Sequence, residues 1–212
     1  MDVQAKTPSV RYPLILLLCL VPVYVWSVIV PADMFTWFLE MLPVVLGLTV
    51  LLSTYQRFRL TDLTYTLIWL HAVVLLIGAH YTYAEVPLFD WIRDTFDLSR
   101  NHYDRLGHFM QGFVPAVIAR EVLIRTSPLK TSRWLFPIVI SVCMAISAIY
   151  ELIEWIVAEF SGTAAEAFLG TQGDVWDTQK DMAFCFVGAI FSLILLSRLH
   201  DRQLNVMGSR TV

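Results

Sequence analysis

Three stretches in the C-terminal half place acid, base and metal-ligating side chains at helical spacing inside apolar sequence. In YDRLGHFMQGFVPAVIARE, which begins at Tyr103, residues Asp104, His108 and Gln111 stand at i, i+4 and i+7, stacked on one face of a helix. Pro115 leaves the Gln111 carbonyl without its usual donor and predicts a polar notch or kink at that level. SAIYELIEWIVAEF carries Glu151 and Glu154 at i, i+3. GTQGDVWDTQKD carries Asp174, Asp177 and Asp181 at three-, four- and seven-residue spacing. Neighbouring carboxylates repel unless a cation, a proton or a basic group compensates them. Several carboxylates with one imidazole suit Mg²⁺, Mn²⁺, Ca²⁺ or Zn²⁺, and such an ion can clamp a phosphate or activate water.

The elements that must position these groups are membrane helices. The chain has 212 residues, 57% of them hydrophobic and only 16% charged, with a mean hydropathy of +0.64, which excludes an ordinary soluble domain of this size. A transmembrane helix needs about 20 mostly apolar residues. Segments of that kind fall at about 12–30, 34–54, 62–83, 103–124, 134–158 and 181–199. The expected architecture is therefore an all-α polytopic bundle of six spans in a single membrane domain, 1–212. The segment PLFDWIRDTFDL, 87–98, alternates apolar and charged residues at helical spacing behind Pro87. It predicts a short interfacial helix, being too short in its apolar run for a seventh span.

Charge sets the orientation. Lys6, Arg11, Arg57, Arg59, Arg120, Arg125, Lys130, Arg133, Arg198, Arg202 and Arg210 fall on one side of a six-span layout, against Arg93, Arg100, Arg105 and Lys180 on the other. The basic excess marks the cytoplasmic side and places both termini there, with the first span as a retained signal anchor. The three stretches then lie in the outer half of the membrane. Cys19, Cys143 and Cys185 lack metal or redox spacing and read as small buried hydrophobes. Trp26, Trp37, Trp134 and Trp155 lie near span ends, as interface anchors do.

Within hydrocarbon an unpaired ionised group costs roughly 2.5–3.5 kcal/mol even on insertion scales, so such residues face one another or water. Asp104, His108, Glu151, Asp177 and Asp181 are accordingly the expected metal ligands or acid/base groups. Gln111, Arg105, Lys180, Glu154, Asp174 and His80 are expected to line the substrate, with Arg105 and Lys180 orienting an anionic head. Glu40, Tyr81, Tyr83 and Glu85 reach the same half, and His71 lies deeper as a packing residue. Structural alternatives are a local Asp104–His108 pair, snorkelling of Glu154, and helix capping by Asp174; capping does not cover Asp181, two turns further on.

The pattern YDRLGHFMQGFVPA, YELIEW and GTQGDVWDTQKDMAFCFVGA resembles the bacterial inner-membrane family typified by YjdF, a domain of unknown function, over nearly the whole chain. The last three spans are distantly similar to VanZ-like membrane proteins, in which Asp104 and His108, Tyr150 and Glu151, and Asp177 and Asp181 match the three recurring elements. Arg105 stands where that pattern carries Lys, and Glu154 and Trp155 stand where it carries Gln. The resemblance implies a small multi-span membrane protein and brings no reaction with it.

Three classes of function are compatible with this reading. The first is an outer-side site that binds a divalent cation and acts on, or holds, an envelope or lipid-linked molecule, with membrane lipid as its partner. The second is a proton- or cation-coupled transporter or flippase, disfavoured by unlike halves and few polar groups in the inner half. The third is a structural assembly protein whose polar residues only cement helices. No nucleophile elbow, P-loop or H-E-x-x-H motif assigns a reaction, which leaves enzyme status open. The cytoplasmic basic residues are accounted for by topology, which argues against nucleic acid.

Overall fold

The computed structural model describes residues 11–161 and 166–208, and every regular element among them is helical. The long helices are α1 (Arg11–Val28), α2 (Met34–Thr54), α3 (Asp62–Tyr81), α5 (Tyr103–Thr126), α6 (Leu135–Ser161) and α8 (Asp177–Gly208). Between them lie the short helices α4 (Pro87–Thr95) and α7 (Glu166–Leu169), and a 3₁₀ turn at Pro128–Thr131. Their starts follow local chemistry: Asp33 accepts from the Thr36 amide at 2.6 Å to cap α2, and the Thr61 hydroxyl caps α3 through Thr64.

Five of these helices, α1, α2, α3, α6 and α8, are long and apolar enough to cross a membrane. The fourth expected span forms as the 24-residue α5 but falls outside that group, because Asp104, Arg105, His108, Gln111, Arg120 and Glu121 dilute its apolar content. The packing explains the dilution. At about 1.5 Å per residue α5 is as long as the others, and it lies against α3, α6 and α8, so its polar faces meet protein. It runs in the same direction as α8: Arg100, just before α5, pairs with Asp177 at the start of α8, while Arg120 near its end meets His200 and Asp201.

Two glycines bring α5 and α8 together. A Cβ on Gly112 would overlap the Cys185 carbonyl, and one on Gly188 would overlap the Phe109 carbonyl, so both side chains are absent where the backbones meet. Ala116, Val139, Cys143, Cys185, Ala189 and Leu193 fill the core beside this contact. Cys143 and Cys185 are buried as expected, whereas Cys19 is exposed on α1.

Other expectations are revised. The amphipathic helix stops at Thr95, not 98, and Asp97 turns with φ +51; Leu88 and Trp91 stay exposed on it, as an interfacial helix requires. Trp37 is no interface anchor. It is buried, its indole donates to Ser27 Oγ at 3.0 Å, and Ser27 donates to the Leu76 carbonyl at 2.7 Å, which ties α1, α2 and α3. Helix α8 begins at Asp177 and runs on to Gly208, so Asp174 sits in the preceding turn and not on the helix.

At the end of the bundle away from α4, Glu121 is fully buried and accepts from the Thr61 amide and hydroxyl, the Thr64 hydroxyl and Arg125. His200, also fully buried, lies 3.1 Å from it, and Arg120 bridges His200 to Asp201. This cluster joins α3, α5 and α8, and nothing in the sequence reading anticipated it.

Candidate functional site

At the α4 end, α5 carries Asp104 and His108 on successive turns into the middle of the bundle, both buried. His108 Nε2 lies 3.4 Å from Asp104 Oδ1, while its Nδ1 faces Gln111 Oε1 at 3.3 Å and Glu151 Oε1 at 3.7 Å. Asp181 of α8 completes a group with Asp104 and His108 in which one ligand atom from each lies within 4.8 Å of the others. Among the described residues, Asp181 Oδ1 and Glu151 Oε1 are buried with no hydrogen-bond partner. A buried polar atom left so is costly unless water, an ion or a proton compensates it.

The cation that organises this region is Arg100, which sequence reading counted only for topology. It is 4% exposed. Its guanidinium pairs with Asp177, lies 3.5 Å from Asp104 Oδ2, and donates to the carbonyls of Gly170 and Thr171. Asn101 beside it caps Tyr103 and bonds Val86 and Asp90, and its backbone exchanges two hydrogen bonds with the Gln172 side chain. Gly170, Gln172 and Gly173 all have positive φ, which is what lets the loop before α8 curl around Arg100. The signal available in sequence was the i, i+4 spacing of Arg100 and Asp104 together with the GTQG turn.

Arg105 and Lys180, expected to orient an anionic head, both hold Asp174, at 2.7 and 2.6 Å. The Lys180 hydrogen bond and the Trp176 amide hold the Asp174 carboxyl down at about 2, so it remains ionised throughout the ordinary pH range. This triad clamps the loop outside the buried cluster. His80 is not brought to the site at all: its Nδ1 lies 3.1 Å from the Ser27 carbonyl and its ring packs against Trp26, between α1 and α3.

The polar groups of α5 face two ways. Towards α6 and α8 they meet Glu151, Asp177 and Asp181. Towards α2 and α3 they border a cavity of about 210 Å³ whose polar wall is Glu40, Tyr83, Asp104, His108, Gln111, Tyr150 and Glu154. Glu40 is buried and within 3.4 Å of the Tyr150 hydroxyl. The Tyr83 ring is held between Gly78 and Gly107, neither of which could carry a Cβ beside it. The N-terminal half therefore builds one whole wall of a site that the spacing assigned to the last three spans. Of the predicted residues, Asp104, His108, Gln111, Glu151, Glu154, Asp177 and Asp181 come together in this region.

Chemically, the cluster joins an imidazole and a set of carboxylates larger than its buried cations can neutralise. Arg100 serves Asp104 and Asp177, and Arg105 serves mainly Asp174. Asp181, Glu151, Glu154 and Glu40 are left with His108 as the neighbouring basic group. Carboxylates gathered in this way repel one another unless a cation, a proton or a basic group compensates them.

The chain is 47% identical over 191 residues, 90% of its own length and 91% of the relative's, to a protein of Escherichia coli (strain K12) named inner membrane protein YjdF. No solved structure matches it. Residues 12–202 match a family described as predicted membrane protein DUF2238, and at that coverage and identity the chain belongs to this family.

Proposed function

We propose that this is a six-crossing inner-membrane protein, α5 being the fourth crossing in chain order beside the five apolar helices, with both termini cytoplasmic and a periplasmic-side pocket that binds a divalent cation and, through it, the polar part of an envelope or lipid-linked molecule. The observation that carries the reading is the convergence of Asp104, His108 and Asp181 ligand atoms within 4.8 Å, all three buried. Two carboxylates cancel the charge of one divalent ion, which removes most of the cost of burying either. With Nδ1 protonated and donating to Gln111, His108 turns its Nε2 lone pair towards Asp104, the outer-shell arrangement that orients a metal-binding imidazole. Glu151 is the next available oxygen. Lys180 and Asp174 then act as loop anchors, and Arg100 as the cation shared by Asp104 and Asp177.

The competing view, in which these residues only join helices, is separated by titrating the purified protein with Mn²⁺ and following the free ion by electron paramagnetic resonance. One tight site is expected in the wild type. His108→Ala and Asp181→Asn should fold to near-normal yield but lose it, and Gln111→Leu should weaken it roughly 10–100-fold. Loss of folded protein in all three, with no Mn²⁺ bound by the wild type, would make the cluster structural.

A further inference from the structure

We infer that the segment 168–176, which runs from α7 to the start of α8, is a strap that shuts the polar cavity, and that the cavity is entered when this strap lifts away. The inference concerns access to the pocket described above and does not depend on what the pocket binds. With the strap in place the polar wall is buried: Glu40, Tyr83, Asp104 and His108 are each at most 7% exposed. Gly170 lies against that wall, since a Cβ there would stand 4.0 Å from both Asp104 Cγ and Tyr83 Cβ. Nearby, Phe168 is 3% exposed. Its helix α7 lies against α2 and α6, which supply Glu40 on one side of the cavity and Tyr150 and Glu154 on the other.

The strap is the part of this enclosure built to move. Helices α5 and α8 are locked by backbone contact at Gly112 and Gly188, whereas the strap is held by separable polar contacts. Its Gly170 and Thr171 carbonyls accept from Arg100 at 3.0 and 3.2 Å. The Gln172 side chain accepts from the Asn101 amide and donates to the Asn101 carbonyl, both at 2.9 Å. Asp174 is gripped by Arg105 and Lys180. Thr171, Gln172 and Gly173 are exposed, and polar contacts made at an exposed segment open locally while a packed bundle stays folded. Gly170 and Gly173, at φ +58 and +81, flank the Gln172 latch and supply the backbone freedom such a movement needs. Lifting the strap leaves the ion pairs of Arg100 with Asp104 and Asp177 intact, because those carboxylates belong to α5 and α8.

The test is carbethoxylation of the full chain by diethyl pyrocarbonate in phosphatidylcholine nanodiscs with EDTA present, the rate at each histidine being read by peptide mass spectrometry. In the wild type His108 should react far more slowly than the half-buried His102. Gln172→Ala removes the latch and should speed His108 about tenfold, the scale of one or two lost hydrogen bonds in a local opening. Phe168→Ala serves as a second release should the first variant fail to fold. His200, fully buried against Glu121, is the internal control. Glu121 stands 13 residues beyond His108, about 20 Å along α5, so the rate at His200 should not change. Equal His108 rates in the wild type and a folded variant, wild-type His108 reacting as fast as His102, or His108 and His200 accelerating together would overturn the inference. Selective acceleration of His108 in a protein that binds no Mn²⁺ would uphold the strap and defeat the cation reading alone.

Discussion

Replacing Arg100 with methionine is expected to destabilise the protein by about 3–5 kcal/mol, the usual consequence of removing one partner from a buried ionic group. The side chain is nearly inaccessible, and its guanidinium is what Asp104, Asp177 and the carbonyls of Gly170 and Thr171 share. Methionine keeps much of the volume and leaves two buried carboxylates and two carbonyls without their donor. Folded yield and the thermal midpoint in detergent should both fall sharply. The double variant Arg100→Met with Asp177→Asn should recover a large part of the loss, because the amide removes the uncompensated charge. Wild-type behaviour of the single variant would mean that Arg100 is peripheral.

The second large effect lies at the other end of α5. Glu121→Ala takes the shared acceptor from Thr61, Thr64, Arg125 and His200 at once. Leaving fully buried donors unpaired costs about 1–3 kcal/mol for each neutral group and more for charged ones, so the expected loss is at least 3 kcal/mol by the same reckoning. Glu121 stands 17 residues beyond Asp104, about 25 Å along the helix, far enough for the two ends to act independently. The fraction of Glu121→Ala that folds should therefore bind Mn²⁺ with wild-type affinity, measured by the same titration. Lost affinity in that folded fraction would show that the two ends are coupled.

What could be seen in the sequence was whatever repeats along one helix. Asp104 with His108, and Asp177 with Asp181, are i, i+4 pairs in apolar surroundings, and their burial together follows from the cost of charge in hydrocarbon. What could not be seen depends on how helices meet. Arg100 precedes α5 and becomes the central cation only because Asn101 and Gln172 fold two distant loops together. Glu40 and Tyr83 come from helices whose periodicity says nothing about which neighbour they face. Glu121 and His200 sit among Arg120, Arg125, Arg198 and Arg202, where the positive-inside pattern already accounted for the charge and hid a buried network. His80 was misplaced for a related reason: depth in the membrane was legible, whereas the direction of the side chain was not. The same limit applies to α5, whose polar content lowers its hydropathy because the helix occupies the centre of the bundle.

The most direct test of the account is the metal content of the protein purified without chelator, measured by inductively coupled plasma mass spectrometry for wild type and Asp104→Asn side by side. About one equivalent of a divalent metal in the wild type and almost none in the folded variant is the predicted result. Negligible metal in both, persisting after incubation with Mn²⁺ and Zn²⁺, would contradict the claim that Asp104, His108 and Asp181 hold a cation.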